Sequence, residues 1–114
     1  MNDIADRHAV ALLHGLGDLY LRHGQHARGR ILMLLAIQID PDNVPLLGTL
    51  ARAFLADGDG ERTLATVQRL ETLGETACGV ELLRARALWL LGRPGPARTA
   101  FRRYLTQRAT ETHS

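Results

Sequence analysis

The sequence predicts an all-α solenoid, and three observations support this fold class. Hydrophobic residues make up 46% of the 114 residues and aromatic residues only 4%, so leucine and alanine must form most of the core. Both are strong helix formers. Gly24, Gly58 and Gly92 recur at a spacing of 34 residues, each after an apolar, helix-like segment. No linker or low-complexity segment interrupts residues 1–114, which are predicted to form a single domain.

The same 34-residue step relates side chains of similar size. It joins the small residues Gly17, Ala51 and Ala85, and the large residues Tyr20, Phe54 and Leu88. This period and order are typical of the tetratricopeptide repeat (TPR), in which each repeat is a pair of antiparallel helices. We therefore predict three helix–turn–helix repeats at about 10–43, 44–77 and 78–111.

Helix boundaries follow from the repeat and from local signals. The predicted helices cover about 6–23, 26–39, 43–57, 60–73, 77–91 and 94–107, and the residues 108–114 are predicted to be a frayed tail. Pro94 suits the first turn of a helix. Asp40 and Asp42 are predicted to cap the third helix. The longest apolar run, "ILMLLAI" at 31–37, is predicted to be buried.

The glycines of the first repeat fall into two groups. Gly17 and Gly29 lie inside predicted helices, where glycine costs about 1 kcal/mol relative to alanine. We expect the two helices to cross closely at these positions, with Ala51 and Ala97 acting similarly elsewhere. Gly24 and its equivalents in the other repeats follow a helix, and they are expected to end it in a left-handed conformation.

The first helices of successive TPRs line a concave groove, which is the predicted binding site for a partner. Twelve residues are predicted to face it: His14, Asp18, Leu21, Arg22, Arg52, Leu55, Ala56, Leu82, Leu83, Arg86, Trp89 and Leu90. Trp89 is the only tryptophan of the chain and belongs to the residue types that anchor interfaces. An apolar groove edged by arginine suits an amphipathic helix or an extended apolar peptide.

Two features of the C-terminal third predict further contacts. No separate capping helix follows the third repeat, although solenoids need polar caps, so we expect a partner or a second copy of the chain to complete the core. Residues 82–110 contain seven arginines and no acidic residue, whereas residues 1–81 contain seven arginines and eleven acidic residues. Arg98 and Arg102 lie four residues apart on one helix face and are predicted to form a second, electrostatic surface.

The sequence carries no signal for catalysis. It has no phosphate-binding glycine motif, no catalytic residues and no cofactor site, and His23 and His26 lack the further ligands that a metal site needs. Aromatic residues are too scarce for nucleic-acid stacking. A secretory signal and a membrane-spanning segment are both absent from the sequence, so a cytoplasmic protein is predicted.

The chain resembles the YscY (SctY) family, small TPR chaperones of bacterial type III secretion. The likeness covers roughly residues 8–107 and is carried by "LYLRHGQHARGRILMLLAIQIDPDN", "DGERTLA" and "ARTAFRRYLTQ". The second repeat departs from the TPR pattern, because Glu75 stands in the place of the closing proline and Thr63 in that of a small alanine.

The resemblance implies a non-enzymatic chaperone that binds and shields a small secreted protein of the YscX (SctX) type. It further implies that the pair engages an export-gate protein of the YscV (SctV) type. The sequence leaves open whether the free chain forms a homodimer. Two alternatives stay open from the sequence: a needle-subunit chaperone of the YscG type and a generic TPR scaffold.

Overall fold

Residues 4–113 are described by a computed structural model, and within this range the chain is helical and contains no strand. The helices are α1 (Ile4–Arg22), α2 (His26–Ile39), α3 (Val44–Ala56), α4 (Gly60–Thr72), α5 (Cys78–Leu90) and α6 (Pro94–His113). Residues 1–3 and 114, which belong to the predicted domain, lie outside the described residues. The predicted boundaries agree to within two residues except at the end of α6. No helix in this range has both the length and the apolar character needed to span a bilayer.

Glycines in the left-handed conformation reverse the chain after α1, α3 and α5. Gly24, Gly58 and Gly92 have φ of 77°, 75° and 71°, as predicted. The backbone N–H after each glycine donates to a carbonyl five residues earlier, for example Gln25 to Tyr20 at 2.9 Å. This is the Schellman arrangement, which satisfies the last carbonyls of a helix. A fourth glycine, Gly74, has φ of 85° and ends α4 in the same way, so this turn forms without the proline that Glu75 replaces.

The caps at the helix starts correct one prediction. The N-cap of α3 is Asn43, whose side-chain oxygen accepts a hydrogen bond from the backbone N–H of Leu46 at 3.0 Å. Asp40 instead accepts from the Asn43 amide, and Asp42 forms an ion pair with Arg69. An N-cap must immediately precede the first helical residue, and only Asn43 does so.

The helices stack in chain order as three antiparallel pairs, which we call the first (α1–α2), second (α3–α4) and third (α5–α6) hairpins. Each helix contacts the next one, and the leading helices also contact each other, α1 with α3 and α3 with α5. The core is continuous through the stack: Val10 and Met33 of the first hairpin pack with Leu46 and Leu50 of α3. Val67 of α4 likewise joins a cluster that includes residues of α5.

Gly17 and Gly29 mark a close approach of α1 and α2, as predicted. A Cβ atom on Gly29 would lie 2.8 Å from the backbone oxygen of Gly17 and 2.7 Å from Cγ of Leu21. A Cβ atom on Gly17 would lie 2.8 Å from Cε of Met33. Real Cβ atoms essentially never come this close to a backbone atom, so the crossing requires glycine at Gly29, whereas the nearest atom at Gly17 is the end of the flexible Met33 side chain.

Two predictions are wrong, one about the burial of residues 31–37 and one about fraying after residue 107. The run at 31–37 is not fully buried, because Met33 and Ala36 face the core whereas Ile31, Leu34 and Leu35 are exposed. An α-helix turns 100° per residue, so seven consecutive apolar residues cannot all face one side. The segment after residue 107 is not frayed: α6 continues to His113, and Glu111 accepts a hydrogen bond from the Cys78 thiol at 3.2 Å.

Candidate functional site

A cavity of about 540 Å³ opens along the junction of α5 and α6. Helix α3 contributes one side chain to its wall, and the rest of the lining comes from the third hairpin. The lining residues are Leu55, Leu82, Ala85, Arg86, Trp89, Leu90, Ala97, Arg98, Phe101 and Arg102. We refer to this space as the third-hairpin cavity.

Helical spacing explains why these side chains converge. Leu82, Arg86 and Trp89 follow at intervals of four and three residues, so they share one face of α5. On α6, Arg98 and Arg102 are also four residues apart, with Phe101 beside them. Small residues lie between the two rows, because Ala85 and Ala97 are buried where the helices meet. The result is an apolar trough with basic side chains on its walls.

The 34-residue repeat allows the cavity residues to be compared with the equivalent residues of the first and second hairpins. Phe101 is equivalent to Met33 and Val67, yet it is 44% exposed whereas both equivalents are 0% exposed. Trp89 is equivalent to Leu55, and the two are 66% and 7% exposed. Met33 and Val67 are covered by the helix that begins the next hairpin, α3 and α5 respectively. The third-hairpin cavity therefore lies where a seventh helix would pack.

The lining of the cavity is positively charged and contains no acidic residue. Arg86, Arg98 and Arg102 are all exposed, and none forms an ion pair within residues 4–113. Unpaired arginines around an apolar trough attract carboxylates at its rim.

Arg84, on the opposite side of α5, behaves differently from these three arginines. It lies 2.6 Å from a carboxylate oxygen of Glu71 and 3.3 Å from one of Glu81. Burial lowers the pKa of Arg84, but the two carboxylates outweigh that effect and hold the pKa above its usual value. Arg84 therefore stays charged and holds α4 against α5.

The structure brings five of the twelve predicted groove residues together in the cavity: Leu55, Leu82, Arg86, Trp89 and Leu90. Leu55, the one side chain that α3 contributes, is buried. Arg52 and Ala56 are exposed on α3 without lining the cavity.

The predicted groove residues of the first hairpin have local partners. The His14 ring nitrogen Nε2 lies 2.9 Å from the Thr49 hydroxyl of α3, and Asp18 forms an ion pair with Arg22 at 2.9 Å. Leu21 packs into the core and provides the atom nearest to a Cβ on Gly29. None of these four groove residues lines the third-hairpin cavity.

Leu83 of the predicted groove set also lies outside the third-hairpin cavity. It packs against the core cluster of the second hairpin, because one residue after Leu82 is a 100° rotation away from the cavity.

The sequence predicts that Arg98 and Arg102 form a second surface, separate from the groove. They line the same cavity as Trp89, so the basic surface and the apolar trough form one site.

The predicted groove set omitted Ala85, Ala97 and Phe101, which also line the cavity. The signal for Phe101 was present in the sequence, because the 34-residue step places it with Met33 and Val67. Its exposure arises because no helix among residues 4–113 packs over it, which the repeat register alone does not reveal.

Within residues 4–113, no group of three or more histidine, cysteine or acidic side chains is gathered to hold a metal ion. No protein-family model matches the chain, and no curated protein matches it.

Proposed function

We propose that the chain is a non-enzymatic protein-binding module that holds an amphipathic helix of a partner protein in the third-hairpin cavity. The observation that supports this most directly is the exposure of Phe101 at a position where both equivalents, Met33 and Val67, are completely buried. A helix from another chain would cover Phe101 and Trp89 as α3 covers Met33. The partner helix would then take the position beside the third hairpin that α3 has beside the first.

The charges around the cavity indicate which residue types the bound helix should carry. Its inner face must be apolar to fill the trough, and its flanks should carry acidic residues that meet Arg86, Arg98 and Arg102. Aromatic and arginine side chains are the types that contribute most to binding at interfaces. Electrostatic complementarity of this kind mainly accelerates association and excludes basic competitors.

The likeness to YscY-type chaperones suggests the biological setting. On this proposal the repeats are TPRs, the chain acts in the cytoplasm, and the bound helix belongs to a small secreted protein of the YscX type. Shielding an apolar helix before export would keep that protein soluble. The complex would then meet an export-gate protein of the YscV type through a surface that the substrate leaves free.

The single tryptophan provides a direct test of the binding site. Trp89 is 66% exposed, so burial beneath a partner helix should shift its fluorescence to shorter wavelength. The titrant is the YscX-like protein of the same secretion system, and a needle subunit serves as the competing candidate. A shift with the needle subunit alone would favour the YscG-type alternative, and no shift with either would contradict the export role.

Two cavity variants and one matched control locate the contact. Trp89→Ala should weaken binding by about 2 kcal/mol or more, which corresponds to roughly thirtyfold in Kd. Phe101→Glu should abolish binding, because it places a charge in the apolar trough. Ala109→Glu adds the same charge at an exposed site of α6 outside the cavity and should bind normally. Equal losses for both glutamate variants would place the partner elsewhere.

A further inference from the structure

A second uncovered apolar surface lies at the opposite end of the stack, on the first hairpin. Six aliphatic side chains there are 37–63% exposed. They are Leu12, Leu16 and Leu19 on α1, and Ile31, Leu35 and Ile39 on α2. We call this set the leucine face. It shares no residue with the third-hairpin cavity.

The two helices contribute adjacent stripes to the leucine face. Leu12, Leu16 and Leu19 follow at intervals of four and three residues, which places them on one side of α1. Leu32 of α2 lies near Gly17, so it faces α1, and Leu35 and Ile39 continue its stripe at intervals of three and four residues. The stripes therefore run next to each other where the antiparallel helices meet.

The repeat register identifies the leucine face as a packing surface. Leu12 and Leu16 are equivalent to Leu46 and Leu50, with which α3 packs on the hairpin before it. Leu46 is 0% exposed, whereas Leu12 is 63% exposed. The first hairpin thus carries the side chains that pack against a preceding neighbour, at the end of the stack where the described residues provide none.

The residue types of the leucine face favour a second copy of the chain as its binding partner. All six positions are leucine or isoleucine, so the surface is complementary to itself and can be buried in an isologous, two-fold pair. Head-to-tail stacking would instead place it against Arg86, Arg98 and Arg102. The leucine face offers these arginines no carboxylate, so head-to-tail stacking would bury positive charge against an aliphatic surface at a cost in desolvation.

The exposed area agrees with a dimer of moderate strength. Six side chains exposed to this extent present on the order of 500 Å² of apolar surface, as large as the largest patches on typical monomers. Burying it on both copies removes about 1,000 Å² from water, close to the lower limit for a specific interface.

We infer that the free chain forms a two-fold homodimer through the leucine face, which leaves the third-hairpin cavity of each copy open. This inference does not depend on the proposed partner. It assigns self-association to the N-terminal end of the stack instead of the uncovered third hairpin.

Sedimentation equilibrium at roughly 10–100 µM, where an interface of this size should be populated, tests the inference. The wild type should be dimeric, and Leu12→Glu combined with Ile31→Glu should be monomeric with unchanged helical circular dichroism. These two residues are the most exposed members of the face that lie on different helices, so the fold should tolerate the change. Trp89→Glu, the matched control at the other end, should remain dimeric. A monomeric wild type, or dissociation by Trp89→Glu alone, would overturn the inference.

Cross-linking distinguishes the two possible symmetries. In a Cys78→Ser background, Leu12→Cys chains should cross-link to one another through a short bismaleimide, because a two-fold axis brings equivalent stripes together. Cross-linking only in mixtures of Leu12→Cys with Phe101→Cys chains would show head-to-tail stacking and overturn the two-fold arrangement. Partner binding by the glutamate double variant separates this result from the proposed function, since the cavity is unchanged in that variant.

Discussion

The first and third hairpins occupy opposite ends of one stack, and they leave different surfaces uncovered. The first exposes leucine and isoleucine in its leucine face. The third exposes two aromatic side chains in its cavity, beside three arginines that form no ion pair with any described residue. The first hairpin is joined by glycines at Gly17 and Gly29, and the third has Ala85 and Ala97 at the equivalent positions. Both hairpins thus have small residues where their helices meet, whereas their outer faces differ in residue type and charge.

The largest expected difference concerns equivalent core positions. Met33→Ala removes a side chain that is 0% exposed and should cost about 2–5 kcal/mol of unfolding free energy, because it leaves a cavity in the core. Phe101→Ala removes a half-exposed ring at the same repeat position and should cost about 1 kcal/mol or less. Urea denaturation of the two variants measures both values. Equal losses would mean that Phe101 is covered in the free protein, which would remove the basis of the proposed binding site.

The 34-residue step made most of the helix pairing predictable, because it fixes both the turn glycines and the small residues at helix crossings. The left-handed conformation of Gly24 and the close contact at Gly29 are confirmed on this basis. These features depend on local backbone geometry and on neighbours within one repeat. They can therefore be predicted without knowing which elements lie at the ends of the stack.

Exposure could not be predicted in the same way, because it depends on neighbours that the sequence pattern does not identify. Leu12 has the same repeat position as Leu46, and no feature of the residue itself shows that only Leu46 is covered. The cap at Asn43 and the continuation of α6 to His113 depend on details of one turn and one contact. Of the twelve predicted groove residues, four on α5 and one on α3 line the third-hairpin cavity, and none on α1 does.

A smaller effect on stability is expected at the glycines of the first hairpin. Gly29→Ala should destabilise the protein by about 1–3 kcal/mol, since the new Cβ would meet the Gly17 carbonyl and Leu21. Gly15→Ala is the matched control on α1, where a Cβ meets nothing within 4 Å. It should stabilise the chain by up to about 1 kcal/mol through helix propensity. Thermal or urea melting of both variants gives the comparison, and a neutral Gly29→Ala would contradict the close crossing of α1 and α2.

Helix capping offers a subtler contrast between successive hairpins. Asp59 caps α4 by accepting a hydrogen bond from the backbone N–H of Arg62 at 3.0 Å. The equivalent residue before α2, Gln25, forms no such cap. Gln25→Asp should therefore stabilise the first hairpin by about 0.5–1 kcal/mol, and Asp59→Gln should destabilise the second by a similar amount. Changes of the same sign in the two variants would show that capping does not control these helix starts.

The smallest expected effect concerns the Cys78 thiol at the start of α5. It contacts the end of α6, which is longer than the equivalent helix α2 of the first hairpin. The hydrogen bond from the Cys78 thiol to the Glu111 carboxylate is the main reason that the pKa of Cys78 stands above its usual value. Desolvation and the negative charge of Glu111 act in the same direction. A raised pKa leaves less thiolate at a given pH, and the thiolate is the reactive form. Glu111→Gln should therefore lower the pKa and move the pH–rate curve for thiol alkylation towards lower pH.

A second variant fixes the sign of this prediction. The positive charge of Arg108 lowers the pKa of Cys78, so Arg108→Gln should move the same curve towards higher pH. Opposite shifts of the two curves, measured with a chromogenic disulfide reagent between about pH 7 and 10, would support the contact between the end of α6 and the start of α5. If neither variant shifts the curve, Glu111 does not reach Cys78 in solution. The last turns of α6 would then not contact α5. The packed part of the third hairpin would be no longer than that of the first hairpin.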